Sequence, residues 1–260
     1  MKILIAILFT FNTYASDKGT EIASKVYNRD NGRTQISFIE MTLQDKSGSK
    51  QVRELYNYTL EGKKGEAKTL IRFTNPADIS NTGLLTHNYR NKENDQWIFL
   101  PALKRSRRIS SSRKGGSFVG SDYYYEDLED RPVEKDKHVH KGQKKWKGNT
   151  YELIVSVPVD KDNSVYTKRV SYVDMEKLIY SRIAFYQKKK KPVKLLEVLE
   201  TKKIDGIWTP TKVVMKDLQS GHITQLHLQK VKYNSKLPET LFSKRALEDP
   251  TMELRYRKAL

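Results

Sequence analysis

The chain has 260 residues, 49 Lys and Arg against 31 Asp and Glu, a net charge of +18, and no cysteine. The missing cysteine excludes a disulfide framework, a thiolate metal centre, a cysteine nucleophile and a lipidated N-terminal cysteine. Hydrophobic residues make up 37%, including 8 Phe, 15 Tyr and 3 Trp, enough for a buried core, and the basic excess predicts an acidic partner: nucleic acid, anionic lipid or an acidic protein face.

Residues 1–15, MKILIAILFTFNTYA, join a positive start at Lys2 to an apolar run from Ile3 to Phe11 and small residues at Thr13 and Ala15. This is the pattern of a secretory signal peptide cleaved after Ala15. The run is short for a bilayer span, and no later run is long and apolar enough to make one. Export places the mature protein in the periplasm of a bacterium and argues against nucleic acid as its partner.

Asp17 to Asp30 reads as a helix, with Asp17 as its cap and Ile22, Ala23 and Val26 facing inward. Alternating stretches follow. In the first half they are 36–43, 52–61, 69–74, 84–90 and 96–100; in the second, 151–157, 166–174, 179–187, 193–202, 212–218 and 223–233. In 52–61, Val52, Tyr56, Tyr58 and Leu60 share one side, and Arg53, Asn57, Thr59 and Glu61 the other. Turn residues separate the stretches, among them Lys147-Gly148-Asn149, Asp205-Gly206 and Ser220-Gly221-His222. Ten or eleven strands joined this closely imply an antiparallel meander wide enough to curl. Several strands are apolar on both sides, as Leu195 and Leu199 against Leu196 and Val198. One such face is expected to line a concavity while the other packs on a second element. No repeat or linker divides the chain, so residues 16–260 read as a single domain, with 238–260 a short helix and basic tail.

The segment 97–128, WIFLPALKRSRRISSSRKGGSFVGSDYYYEDL, carries the most information. An aromatic strand turns at Pro101 into a basic stretch with Lys104, Arg105, Arg107, Arg108, Arg113 and Lys114. It continues through Ser110 to Ser112 and Gly115-Gly116 into a Tyr-rich acidic stretch. Ser and Gly backbone with arginine nearby suits an anion. The alternative is a solvated loop whose arginines pair with Asp122, Glu126, Asp127, Glu129 and Asp130. Long ordered loops in compact domains tend to be functional.

The motif series is Phe73-x-x-Pro76-x-Asp78-Ile79, then Thr82-Gly83-Leu84-Leu85, then Gln96 to Arg105 (QWIFLPALKR), Arg107-Arg108-Ile109, Gly116 to Tyr123 (GSFVGSDY) and Glu126-Asp127-Leu128. It resembles the bacterial outer-membrane lipoprotein-sorting proteins, a branch of the LolA-like superfamily, over about residues 17–248. The resemblance implies a mainly β (α+β) fold: a curved antiparallel half-barrel with short helices closing the concave face. It further implies a carrier that holds acyl chains of a lipid or lipoprotein while crossing the periplasm toward the outer membrane. No catalysis goes with the fold, no cofactor is expected, and a resistance-nodulation-division type transporter in the inner membrane is the expected partner. The arginine that serves LolA-type carriers proper has no counterpart assigned here; Arg72, next to Phe73, does not inherit the role.

The residues add detail to this expectation. Each buried CH₂ of an acyl chain contributes about 0.8 kcal/mol, so a dry concavity is sufficient for the tails and no sharp polar motif is required. Ile71, Phe73, Leu85, Trp97, Phe99 and Phe118, the large apolar groups of the motif strands, are candidate lining residues, with ordinary core packing as the other use for each. The cations at 104–114 and the hairpin tip Lys188, Lys189, Lys190 and Lys191 are candidates for contact with headgroups, an anionic membrane surface or an acidic transporter face. Each Lys or Arg at such a surface contributes about 1 kcal/mol. Lack of a lipidated cysteine favours a free shuttle over an anchored acceptor.

Enzyme signatures are weak. Gly116 to Gly120 has the wrong order for a nucleophile elbow, and there is no P-loop or H-E-x-x-H. His138 and His140 share a strand face, but the lysines around them disfavour a metal. Asp122, Glu126 and Asp127 lie among too many cations for an acid/base pair. The rival class is a sensor of similar fold that binds lipidated protein and signals to a membrane partner.

Overall fold

The structure, a computed structural model, describes residues 18–62, 66–188, 190–258 and 260; the expected signal peptide lies outside the described residues. The strands are β1 (Thr34–Gln44), β2 (Lys50–Glu61), β3 (Ala67–Asn75), β4 (Gly83–Asn88), β5 (Asp95–Leu100), β6 (Arg105–Arg108), β7 (Asp136–Trp146), β8 (Asn149–Pro158), β9 (Lys168–Asp174), β10 (Ile179–Tyr186), β11 (Lys194–Ile204), β12 (Ile207–Asp217) and β13 (Ile223–Tyr233). All form one antiparallel, curved, unclosed sheet in the order β6-β5-β4-β3-β2-β1-β13-β12-β11-β10-β9-β8-β7. Two meanders therefore meet at the β1–β13 pair, where Gln35 stands opposite Tyr233 and Gln44 opposite Ile223. Helix α1 (Lys18–Tyr27) precedes the sheet, and α2 (Lys244–Glu248) and α3 (Leu254–Arg257) follow it.

There are thirteen strands where the sequence pattern predicts ten or eleven. The two without a counterpart are β6, RSRR, and β7, DKHVHKGQKKW. Neither has apolar alternation, because each is an edge and buries little. Cations on an edge strand discourage pairing with another sheet. Both edges are also covered. Helix α1 approaches β7 so closely that a Cβ on Gly19 would lie 2.6 Å from the His138 carbonyl oxygen, so only glycine fits there. On β6, the Ser106 backbone N–H donates to the Glu248 carboxylate at 2.9 Å. The turns follow the sequence reading: Asp205 and Gly206, with φ of 52° and 83°, form the two-residue link between β11 and β12.

The two sheet faces have different covers. Ile71, Phe73, Leu84 and Ile98 point inward, toward the long β6–β7 connection. Leu70, Leu85 and Phe99 point outward with Ile36 and Tyr58, under Leu237, Leu241, Phe242 and Leu247. The carboxy-terminal helices thus cover the outer face of the first meander, not the concave face as the resemblance implies. Helix α1 does lie on the inner face, burying Ile22 and Val26 against Ile154 and Val173. Among the described residues no helix is long and apolar enough to cross a membrane.

Arg72 fixes the outer cover. Its side chain is fully buried and donates Nε to Glu253 at 2.7 Å, Nη1 to the Asn81 carbonyl at 2.7 Å and Nη2 to the Leu247 carbonyl at 2.7 Å. Burial lowers the Arg72 pKa, and Glu253 opposes the shift. Removing one member of a buried pair strands the other charge. Arg72→Met should cost about 3–5 kcal/mol of stability. In a denaturant-unfolding double-mutant cycle, adding Glu253→Gln should restore part of that loss.

Candidate functional site: a strapped cavity on the inner face

Residues 109–135 cross the inner face as a strap. It leaves β6 where the Ile109 N–H donates to the Gln96 carbonyl at 2.8 Å. A short bridge between Ser117 and Tyr124 then forms a loop whose tip, Val119 and Gly120, has positive φ. The loop is apolar where it meets the sheet. Phe118 lies 5.6 Å from Phe73 and 6.0 Å from Tyr125, centroid to centroid. Tyr123, Tyr124 and Leu128 pack with Tyr166, Phe185, Val193 and Met215 from the second meander.

Charge fastens the same segment. Asp122 accepts from the Thr224 hydroxyl at 2.7 Å and pairs with His222 at 2.7 Å. Asp127 accepts from the Tyr166 hydroxyl at 2.9 Å and lies 3.8 Å from Lys194, which also donates to the Asp122 carbonyl. Glu126 accepts from the Val165 N–H at 2.7 Å and pairs with Arg169. Glu129 meets Lys114 at 3.3 Å, and Arg131 forks onto Asp136 at 2.9 and 2.8 Å. Most of these acids find partners on the sheet, not among the arginines just upstream. Burial raises Asp127, with Lys194 opposing, and burial lowers Lys194 to about 8 against the pull of Asp127 and Asp122.

Beyond the strap lies a cavity of about 1420 Å³. Its apolar floor is Ile183, Phe185, Leu196 and Met215, with Leu128 and Val26 beside it. Arg29, Asp30, Arg33 and Glu61 stand at its rim, where α1 passes into β1. A smaller cavity of about 330 Å³ shares Arg29, Asn31, Thr59 and Glu61 and runs beneath β12 and β13 toward Val213, Leu226 and Leu228. Walls from β2 and β3 on one side and β10 to β12 on the other identify this as the enclosed face of the curl. Burial, reinforced by the Asp130 carboxylate, raises Glu61 to about 7. Asp130 is raised by burial as well, with Tyr27 opposing.

The residues singled out by the sequence reading fall in three places. Ile71 and Phe73 pack on the inner face under the strap, against Phe118 of the strap itself; Leu85, Trp97 and Phe99 pack on the outer face under the carboxy-terminal segment. None of the six borders the large cavity. Of the basic stretch, Lys114 is buried between Glu93 and Glu129, and Arg108 pairs with Asp95. Lys104, Arg105, Arg107 and Arg113 are exposed, as are Lys188, Lys190 and Lys191; Lys189 lies outside the described residues. His138 is held by Ser156 and the Val133 carbonyl, and His140 by Glu152. Among the described residues no group of three or more His, Cys, Asp or Glu is placed to hold a metal. The cavity floor, the buried Lys194 and the half-buried Arg169 have no motif of their own; their one sequence signal is strands apolar on both sides, as at Leu195 and Leu196.

A family model described as an uncharacterised protein matches residues 65–249. A solved domain from Vibrio parahaemolyticus, assigned to the outer-membrane lipoprotein-sorting proteins, is 33% identical, with a TM-score of 0.84 over 89% of this chain and 98% of that one. The chain belongs to the outer-membrane lipoprotein-sorting family. A DUF1329 family protein from Desulfovibrio piger is 29% identical, with a TM-score of 0.84 over 88% of this chain and 98% of that one. A LolA superfamily protein from Nitrosomonas europaea, 16% identical, shares the fold with a TM-score of 0.69 over 88% of this chain and 98% of that one. No protein of curated function matches the sequence. In this family member the strap occupies the concave side of the first meander and α1 that of the second.

Two measurements probe the site. Lys194→Met strands the Asp127 carboxylate and should lower stability by about 3 kcal/mol, with the strap gaining hydrogen exchange before the sheet does. At Glu61 the folded state keeps a proton that the unfolded chain releases above its ordinary pKa of 4.5. Stability therefore falls as pH rises from 4.5 through 7. Glu61→Gln removes this loss, so the variant should gain on the parent across that window, by on the order of 1 kcal/mol above it after solvent screening. Thermal unfolding against pH reads the difference.

Proposed function

We propose that this protein is a periplasmic carrier that takes acyl chains of a lipid or lipoprotein into the inner-face cavity and shuttles them toward the outer membrane. The carrying observation is the amphipathic cavity of about 1420 Å³, apolar at Ile183, Phe185, Leu196 and Met215 and charged at its rim. Such a volume exceeds the roughly 300–1,000 Å³ typical of drug-sized ligands. Ten buried methylenes supply about 8 kcal/mol of gross binding free energy without a single polar contact. Family membership supports the cargo class, because the Vibrio parahaemolyticus relative is assigned to lipoprotein sorting.

In this reading the protein is a carrier and not an enzyme, it functions as one domain, and it exchanges cargo with an inner-membrane transporter of the resistance-nodulation-division type. Displacing the strap, with its Phe118, uncovers Ile71 and Phe73, which extend the apolar surface available to a tail. Leu85, Trp97 and Phe99 stiffen the same strands from the other side. The exposed cations Lys104, Arg105, Arg107, Arg113, Lys188, Lys190 and Lys191 meet headgroups or an acidic partner face.

Lipid extraction and native mass spectrometry of protein purified from its own periplasm should reveal a co-purifying lipid or acylated protein. Leu196→Asp with Met215→Asp should cut uptake of a fluorescent fatty acid at least roughly ten-fold, because an unpaired carboxylate on the floor must be desolvated by the tail. Protein that is repeatedly empty and takes up no fatty acid sinks the reading.

A further inference from the structure

In β7 to β11, five residues each sit between two neighbours that face inward. Ile154 and Ser156 flank Val155, Arg169 and Ser171 flank Val170, and Ile183 and Phe185 flank Ala184. Lys194 and Leu196 flank Leu195, and His138 and His140 flank Val139. Strand alternation turns all five to the outer face. The register sets them in one line: Val139 opposite Val155, Val155 opposite Val170, Val170 opposite Ala184 and Ala184 opposite Leu195. At a strand spacing of about 4.8 Å the row is about 19 Å long. Val157, opposite Lys137, widens it.

No helix or core cluster packs on this row among the described residues. None of its members belongs to a core cluster; Leu195 is buried by its neighbours on the sheet, Val155, Val170 and Ala184 are half-buried, and Val139 and Val157 are 37% and 39% exposed. The outer face of the first meander, by contrast, is capped by Leu237, Leu241, Phe242 and Leu247. One half of a single sheet face thus carries its own helical cover, and among the described residues the other half has none, with its exposed apolar surface at Val139 and Val157.

Charge indicates what fits. Lys137 and Lys168 border the row, with Lys188, Lys190 and Lys191 at the adjoining hairpin tip. Glu197, in the next row, is already held by Arg182 at 3.6 Å and Lys216 at 3.1 Å. A second copy of this chain would bring lysines against lysines. A bilayer is a poor match, because the row is flush Val, Ala and Leu and has no Trp or Phe at its centre to insert. We propose that the outer face of β7–β11 docks a partner protein through an amphipathic helical segment with an acidic polar side, as residues 237–257 cover the other half. The docking face lies on the opposite side of the sheet from the cavity and stands independently of the carrier reading.

The test uses the whole protein and a synthetic helical peptide with leucine on one side and glutamate on the other. Binding should protect the β7–β11 amides from exchange. It should weaken at least roughly ten-fold in Val139→Asp/Val157→Asp, where a carboxylate would be buried unpaired. Lys188→Ser/Lys190→Ser/Lys191→Ser should lose part of the affinity and of its salt dependence. Thermal unfolding and fatty-acid uptake of the aspartate variant should match the parent, and the serine variant should keep the parent's thermal unfolding, since the substituted side chains are exposed. Uptake failing in all proteins while the peptide still binds counts against the carrier and leaves docking intact. The proposal is overturned if the peptide does not bind, if a lysine-for-glutamate peptide binds equally, or if the aspartate variant keeps full affinity. Vesicles of phosphatidylglycerol, or self-association in sedimentation, that depend on Val139 and Val157 in place of the peptide also overturn it.

Discussion

The inner face depends on an exchange of charge between the strap and the sheet. Asp122, Glu126 and Asp127 arrive on a loop; Lys194, Arg169 and His222 wait on β11, β9 and the β12–β13 turn. A carboxylate buried alone would be costly, and so would a buried lysine. Brought together with the Tyr166 hydroxyl and the Thr224 hydroxyl, each desolvated group finds a partner. Such pairing contributes modestly to net stability but strongly to uniqueness, because any other path for the strap would leave both sets unpaired. The loop therefore holds one position over a surface that hydrophobic contact alone would let it slide across.

This arrangement also divides the inner face into two regions. Under the strap, Phe73 of the sheet is already satisfied by Phe118, which packs in turn on Tyr125 of the strap. Beyond it, Ile183 and Leu196 face open volume, with Met215 buried at its edge. The rim of that volume carries Arg29 and Glu61, so its depth and its mouth differ in polarity. A tail and a headgroup differ in the same sense, and the family's association with lipoprotein sorting agrees with such a shape.

Much of the fold was legible in the sequence where burial is one-sided. The inward residues of α1 are Ile22, Ala23 and Val26, as their helical spacing implies, and Asp205-Gly206 marks a two-residue turn. Strands β6 and β7 were not legible, because an edge strand rich in Lys and Arg buries too little to show a period of two. Within the site, the Tyr-rich acidic stretch announced itself, but its partners did not: Lys194 and Arg169 are single cations in a chain with 49 Lys and Arg. Nothing local distinguishes a lysine bound for the interior from one bound for solvent. Leu196 was visible only as half of an apolar pair with Leu195, and the pattern could not say which half faced the cavity. Phe73 and Phe99 looked alike in sequence; the register through Gly83 of β4 aligns Phe99 with Arg72, which puts the two rings on opposite faces.

The seam between β1 and β13 has a further consequence. Each meander is a run of neighbours in sequence and can assemble from local contacts, whereas the seam joins residues such as Gln35 and Tyr233 from opposite ends of the chain. Closing so long a loop is entropically expensive before its contacts form. The two halves are thus expected to fold as separate ribbons and to zip together last. A chain threaded through a membrane amino end first would keep its central seam open until β13 had emerged, and could not complete the sheet too early.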